Sequence, residues 1–504
     1  EKTKSNNIED KESSKRARIE EDGKAPLPSS VIVNFLNNDN ARAGPPVDLP
    51  VESTSKQIEL LVNSLLENKD SLPYAFYIND VEVIGTLADT LTQVRALDSA
   101  QNFEQTLNIV YQPLSVYRVR PVTRCVETMP GHTDAVLHVS YSPDGKRLAS
   151  GGGDMAVRFW NVVSSTPSHT CNGHKHHVLC TGWTPNGALF VSADRSGEIR
   201  LWNPTNGQAH GQPLKGHKKW VTSLAFEPLH VDPKCTRMAS SSKDSTVKVW
   251  NLATGLCETT ISGHLDSVEC VKWGGAGLLY TCSRDRTIKV WAIDGSGRSL
   301  QKLVRTLSGH AHRINSLALN CDYLTRTGDF EIGRTASRDP QEAQELALQR
   351  YNTLIGAEGE RLVSCSDDFT LFLWRPQEDK SPLVRMVGHQ QLVNHIAFSP
   401  DARYVASASF DKKVKIWCGR TGRFLATLSG HVGSVYQVSW APDSCFLASA
   451  SKDSTVKVWA MKDLKKALHT LAGHEDEVYT LDWSPNGSQL SSGSKDRTIK
   501  IWHH

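Results

Sequence analysis

Apolar residues recur in this chain with more than one period, and the period changes along its length. Residues 1–29 hold seven basic and seven acidic residues and no aromatic one, so they read as a disordered charged tail. Within it, Lys15 to Arg18 reads either as a nuclear import signal or as part of a solvated tail. Val31 to Leu36 is strand-like, and Val47 to Glu52 is a second extended run after Pro45 and Pro46. Ser55 to Lys69 has apolar residues at Ile58, Leu61, Val62, Leu65 and Leu66, the spacing of one helical face. Tyr74 to Ile78 and Val81 to Ile84 flank a turn at Asn79 and Asp80, and Thr106 to Tyr111 is one more strand.

The order β-β-α-β-β-β over residues 30–117 matches a small α/β domain of the ubiquitin-like, β-grasp type. From residue 118 the chain repeats itself. Gly-His pairs end at His132, His174, His217, His264, His310, His389, His431 and His474. Strand-like runs end at Trp160, Trp202, Trp250, Trp291, Trp374, Trp417, Trp459 and Trp502. Six of the seven histidine intervals are 42 to 47 residues, and the seventh is 79. This period, start and finish are those of four-stranded WD40 blades. The expected fold class is all-β: an eight-bladed WD40 β-propeller over 118–504, preceded by the small ubiquitin-like domain.

In such blades a turn aspartate accepts a hydrogen bond from the Gly-His imidazole, and a strand hydroxyl links that imidazole to the tryptophan indole. Buried polar groups are thereby satisfied. An Asp stands six residues before the tryptophan in seven units, as in His132/Asp154/Trp160, His264/Asp285/Trp291 and His389/Asp411/Trp417. The second unit has Ser196 at that position, which predicts a weaker network there. No blade-ending tryptophan is followed by Asp, which argues against the WD-x-R sequence of ubiquitin-ligase substrate receptors.

The eighth unit lacks an outer strand after Trp502, and Arg120 to Val126 is the expected substitute, closing the ring. The long interval predicts an insertion at about 323–359, between the first two strands of blade five. In it, Asp339, Pro340 and Glu342 read as a helix start, and Ala343, Ala347, Tyr351 and Leu354 mark one face. A mobile helical lobe is expected, on the face opposite the Gly-His loops. It is either functional or a tolerated insertion.

The net charge of the 504-residue chain is only +3, which excludes a uniformly basic coat protein. Divided, the charge is informative. Residues 31–117 hold four basic and eleven acidic residues, and residues 118–504 hold 46 basic and 36 acidic. No apolar run approaches the ~18 residues of a membrane span, and none resembles a signal peptide. Eleven scattered cysteines without a C-x-x-C pair fit reduced thiols.

No phosphate loop, nucleophile elbow, zinc-protease or kinase motif occurs, so no catalysis is expected. Gly151 to Gly153 and Gly274 to Gly277 read as turn glycines, since no helix follows them. His174, His176 and His177 cluster, but no cysteine is suitably placed for zinc.

The residue before the network aspartate sits at a turn tip on the Gly-His face. Across the blades it is Gly153, Arg195, Lys243, Arg284, Asp367, Phe410, Lys452 and Lys495. His177, Trp220 and Arg313 precede the first-strand aliphatic residue on the same face, and Tyr436 and Tyr479 lie just beyond it. A basic rim with aromatics suits RNA or an extended protein segment; its cations also fit simple exposure. The candidate partner-binding residues of the ring are therefore Trp220, Lys243, Arg284, Arg313, Tyr436, Lys452, Tyr479 and Lys495.

An acidic head, then Val119 to Arg124, then eight blades resembles the Notchless family of ribosome-assembly factors. Lys219 to Leu224, Glu227 to His230, Val271 to Gly275, Gly388 to Gln390 with Leu392 to Asn394, and Ser407 to Asp411 are similar to that family. So is the Glu-, Ala- and Gln-rich insertion. The resemblance implies late maturation of the large (60S) subunit in nucleolus and nucleoplasm. It implies a propeller docked on the pre-ribosome, in contact with rRNA, ribosomal proteins and other assembly factors. It also implies a head that engages the metal-ion-dependent adhesion site (MIDAS) of midasin, a dynein-related AAA ATPase. The chain would hold no cofactor of its own, and a carboxylate would complete the coordination of Mg²⁺ in the partner. The family's metal-binding glutamate corresponds to Glu104, with Asp98 as the competing candidate. A hard divalent cation takes such an oxygen ligand. The other readings are a ubiquitin-ligase substrate receptor and a signalling scaffold.

Overall fold

The computed structural model describes residues 28–68, 71–97, 106–115, 117–293, 301–332, 339–356 and 359–504. The tail through residue 27, Asp98 and Glu104 lie outside the described residues. The chain divides into two compact units, 1–116 and 117–504.

The first unit runs β1 (Ser30–Leu36), β2 (Val47–Pro50), α1 (Ser55–Leu65), β3 (Tyr74–Ile78), β4 (Val81–Glu82), α2 (Leu87–Leu97) and β5 (Leu107–Pro113). The sheet order is β2-β1-β5-β3-β4, with β1 and β5 parallel and the other neighbours antiparallel. Val31, Val33 and Phe35 of β1 pack with Leu107, Ile109 and Tyr111 of β5 against Ile58 and Val62 of α1. This is a β-grasp. It differs from the expected order by α2, whose Leu87, Leu91 and Val94 complete the core at helical spacing. The helix starts at a reciprocal cap: Thr86 Oγ1 donates to Asp89 at 2.6 Å, and the Asp89 N–H donates back at 3.3 Å.

In the second unit the described residues form eight antiparallel sheets. Seven are four-stranded. Blade two has three strands, and its outer edge is covered by residues 203–214 through bridges Ile199 to Leu214 and Trp202 to Ala209. Blade eight takes its outer strand from Arg124–Pro130, paired with Thr498–His503. That strand lies four residues later than the one expected from sequence. Across the closure, the Val139 N–H donates to Thr480 Oγ1 at 3.3 Å and the Tyr141 N–H to Asp482 at 2.7 Å. All eight blade-ending tryptophans are buried.

The insertion falls between the first two strands of blade five, Ile314–Leu319 and Leu362–Ser366. Its described residues are not a mobile lobe. A short helix, α3 (Asp322–Thr327), enters the central channel, and α4 (Pro340–Ile355) lies across the ring. Ala343 and Ala347 pack on Leu229 and Cys235 of blade three. Tyr351 stacks on His230 with centroids 4.7 Å apart.

Candidate functional site

The Gly-His loops are held by a polar relay repeated in every blade. In blade one, His132 Nδ1 contacts Asp154 at 2.9 Å and Nε2 contacts Ser150 Oγ at 2.8 Å. The Trp160 indole N–H donates to that same Oγ at 2.9 Å. Blade four substitutes Thr281 for the serine, between His264 and Trp291. In blade six, His389, Asp411, Ser407 and Trp417 repeat the geometry. Burial raises the carboxyl of Asp154, but the bond from His132, its charge, and further donors outweigh it and hold the group below the ordinary range.

Blade two corrects the expectation drawn from Ser196. Its relay is complete, with Asp194 in the aspartate role: His174 Nδ1 lies 3.1 Å from Asp194, and Nε2 lies 2.6 Å from Ser192 Oγ. Six other blades read Ser-x-Asp, as in Ser242-Lys243-Asp244, and blade one reads Gly152-Gly153-Asp154, whereas this one reads Asp194-Arg195-Ser196. The two residues have exchanged places. Ser196 Oγ now donates to Asp194 at 2.6 Å, as do the N–H groups of Ser196 and Glu198 at 2.8 and 3.1 Å. The exchange also commits His174 to the relay, which removes it from the His176 and His177 cluster.

The relays fix the turn tips of the Gly-His face, and the structure divides the candidate rim residues there into two groups. Four of the cations meet carboxylates. Arg284 pairs with Glu269 and Arg313 with Asp367, each at 2.5 Å. Lys452 pairs with Glu477 at 3.7 Å and Lys495 with Asp476 at 3.3 Å. Tyr436 and Tyr479 come together, centroids 5.6 Å apart, with Phe410 edge-on to Tyr436 at 5.8 Å. The Tyr436 hydroxyl donates to Glu477 at 2.9 Å. The second group is Trp220 with Lys243 and Arg195. The Lys243 ammonium lies 3.8 Å and the Arg195 guanidinium 4.3 Å from the indole centroid. Of the acids that the four paired cations meet, Asp367 was read from sequence only as a turn-tip residue, and Glu269, Asp476 and Glu477 were not singled out. They follow no common offset within their blades, so no spacing pointed to them.

On the opposite face the insertion occupies the channel. Only two charged side chains among the fifth residues of the eight first strands face it, Lys272 and Asp482. Helix α3 answers both. Lys272 pairs with Asp322 at 2.9 Å, and Arg326 makes a two-pronged contact with Asp482, one arm at 2.8 Å. Blades four and eight are thus tied through one helix. A cavity of about 350 Å³ remains in the channel, bordered by His138, His395 and Gln437. Burial pushes the His138 and His395 imidazoles down to about 4, so both are neutral near pH 7.

The end of the insertion is pinned by Glu360, a carboxylate only 1% exposed. The hydroxyls of Tyr280 and Tyr351 each donate to it at 2.8 Å, and the Ala276 N–H at 2.9 Å. Here the glycine run of blade four finds its use. A Cβ on Gly275 would overlap the Tyr351 ring, and one on Gly274 would crowd Glu360.

The family model described as "WD domain, G-beta repeat" matches residues 123–161, 165–203, 210–251, 255–292, 380–418, 422–460 and 465–503. The seven matches pass over most of blade five, which the insertion splits. The model "NLE (NUC135) domain" matches 31–91. Two solved structures show the same propeller fold: the computationally designed Ika8 protein, with TM-score 0.58, 24% identity, and 76% of this chain and 100% of that one covered; and the C-terminal WD40 domain of Sif2, with 0.59, 18%, 77% and 99%. Protein Notchless of Drosophila melanogaster is 50% identical over 75% of this chain and 76% of its own. Notchless protein homolog of Arabidopsis thaliana is 48% identical over 79% and 81%. Ribosome assembly protein 4 of Saccharomyces cerevisiae is 42% identical over 79% of each chain. With the head, the eight relays and these relatives in agreement, the chain belongs to the Notchless family.

Proposed function

We propose that this protein is a non-catalytic assembly factor of the large ribosomal subunit, working in nucleolus and nucleoplasm. The observation that carries this reading is its 42% identity, over 79% of both chains, to a yeast protein named for ribosome assembly. The propeller docks on the pre-60S particle. The head binds the MIDAS domain of midasin, and ATP-driven remodelling passes through that contact. Glu104 supplies one carboxylate oxygen to the Mg²⁺ of the partner, with Asp98 the neighbouring alternative. Net negative charge on the head favours approach to a cation-bearing site, a term that salt screens.

Affinity capture with the full chain tests this. Large-subunit precursors together with midasin are expected; recovery of a cullin adaptor instead would favour a ubiquitin-ligase receptor. Glu104→Asp keeps the charge but shortens the reach by one methylene, so it and Glu104→Ala should both lose midasin. Retention by both variants would exclude Glu104 as the ligand.

A further inference from the structure

The chain has 13 tryptophans. Twelve are buried, and Trp220 is the exception, partly exposed on the Gly-His face. Its ring orders Arg195 and Lys243 by cation–π contact. An aromatic ring positions a cation without offsetting its charge, whereas a paired carboxylate partly offsets it. That separates these two from Arg284, Arg313, Lys452 and Lys495, which all meet acids. Lys175, Lys218 and Lys219 stand exposed on the Gly-His loops of blades two and three. Burial holds the Lys243 ammonium below its ordinary range; the fields of Arg284, Arg195 and Arg313 add to this against the pull of Glu269. The cations therefore crowd one another, and an arriving anion relieves them.

We infer that the sector of the Gly-His face around Trp220, on blades two to four, binds single-stranded RNA, with Arg195 and Lys243 on phosphates and the Trp220–Arg195 stack receiving a base. A cluster of cations alone would serve an acidic peptide equally well. An indole carrying a stacked guanidinium adds planar surface for an unpaired base, which a peptide carboxylate does not use. The inference deepens the docking reading above, and rests on it only for where such RNA is met.

The test is titration of the full chain with a fluorescein-labelled 12-nucleotide oligouridylate, read by polarisation and by intrinsic tryptophan fluorescence. RNA should quench the Trp220 emission, and Trp220→Phe, a mild change, should abolish the quench. Arg195→Glu with Lys243→Glu should weaken binding about tenfold or more, and flatten the slope of log affinity against log salt by about 1.4. Lys452→Glu with Lys495→Glu, at the paired positions, should change affinity less than about threefold. A glutamate 12-mer should not displace the RNA. Equal displacement by that peptide, equal loss in both double variants, or no binding by the parent chain would each overturn the inference. Both assays stand apart: failure here leaves capture of large-subunit precursors readable, and failure of that capture leaves this titration readable.

Discussion

The exchanged pair in blade two yields a sharp prediction, because the local sequence pattern and the structure disagree about its sign. By pattern alone, Ser196→Asp restores the usual aspartate and strengthens the blade. In the structure the relay already has its aspartate, and Ser196 is a donor to it at 2.6 Å. The substitution removes that donor and sets a second carboxylate beside a fully buried one, so it destabilises by about 1–3 kcal/mol. Asp194→Ala goes further. It strands the His174 Nδ1–H and the Glu198 N–H, both on buried residues, while the exposed Ser196 regains water. At ~1–3 kcal/mol for each buried donor, the loss is about 4 kcal/mol. The ring unit spans 117–504. At about 2 cal/mol/K per residue its unfolding entropy is near 0.8 kcal/mol/K, so the midpoint should fall by roughly 5 °C. Differential scanning calorimetry of the full chain reads this directly. A raised midpoint for Ser196→Asp, or an unchanged one for Asp194→Ala, would refute the assignment of Asp194.

Other expectations follow from the same geometry. Arg326→Met leaves Asp482 without its two-pronged partner in the channel and should cost about 3–5 kcal/mol. Lys272→Met breaks a more exposed pair and should cost about 1 kcal/mol or less, so urea midpoints should rank the two. Gly275→Ala places a methyl in the Tyr351 ring and should cost about 1–3 kcal/mol, with faster proteolysis within 340–355 as the local readout. The relay aspartates are held below their unfolded values, Asp194 at about 2. Their contribution is therefore whole above about pH 4 and is lost as pH falls toward 2; acid titration by circular dichroism should show that loss, and a ring equally stable at pH 2 would contradict it.

Much of the fold was legible because its signals are periodic. Eight Gly-His starts and eight tryptophan ends gave blade number and order directly. What failed was aperiodic. The closing strand lies four residues later than Arg120 to Val126, the run expected from sequence. Val122 is buried against blade seven, outside the strand, and within Arg124–Pro130 the burial falls on Met129 alone. An outer strand that faces solvent offers no alternation to fix its register. Helix α2 was missed although Thr86, Asp89, Leu87, Leu91 and Val94 carry both a cap and a face; a short segment between strands masked the period. The insertion was recognised, but its docking was not. That depends on Gly275 meeting Tyr351 and on Glu360 meeting Tyr280, pairs distant in sequence. At the rim, residue type located the cations, and only three-dimensional neighbours showed which of them face an acid.

The shared eighth blade has a consequence for biosynthesis. Lys500 and Thr128, which meet across it at 2.7 Å, are 372 residues apart. At about 5–20 residues per second, the early strand waits roughly 20–75 s on the ribosome for its mate. Seven blades can stack during that time, yet the Arg124–Pro130 strand keeps an unpaired edge until Thr498–His503 emerges. A nascent chain of this kind depends on whatever shields that edge, so slowing elongation near its end should raise aggregation more than slowing it at the start.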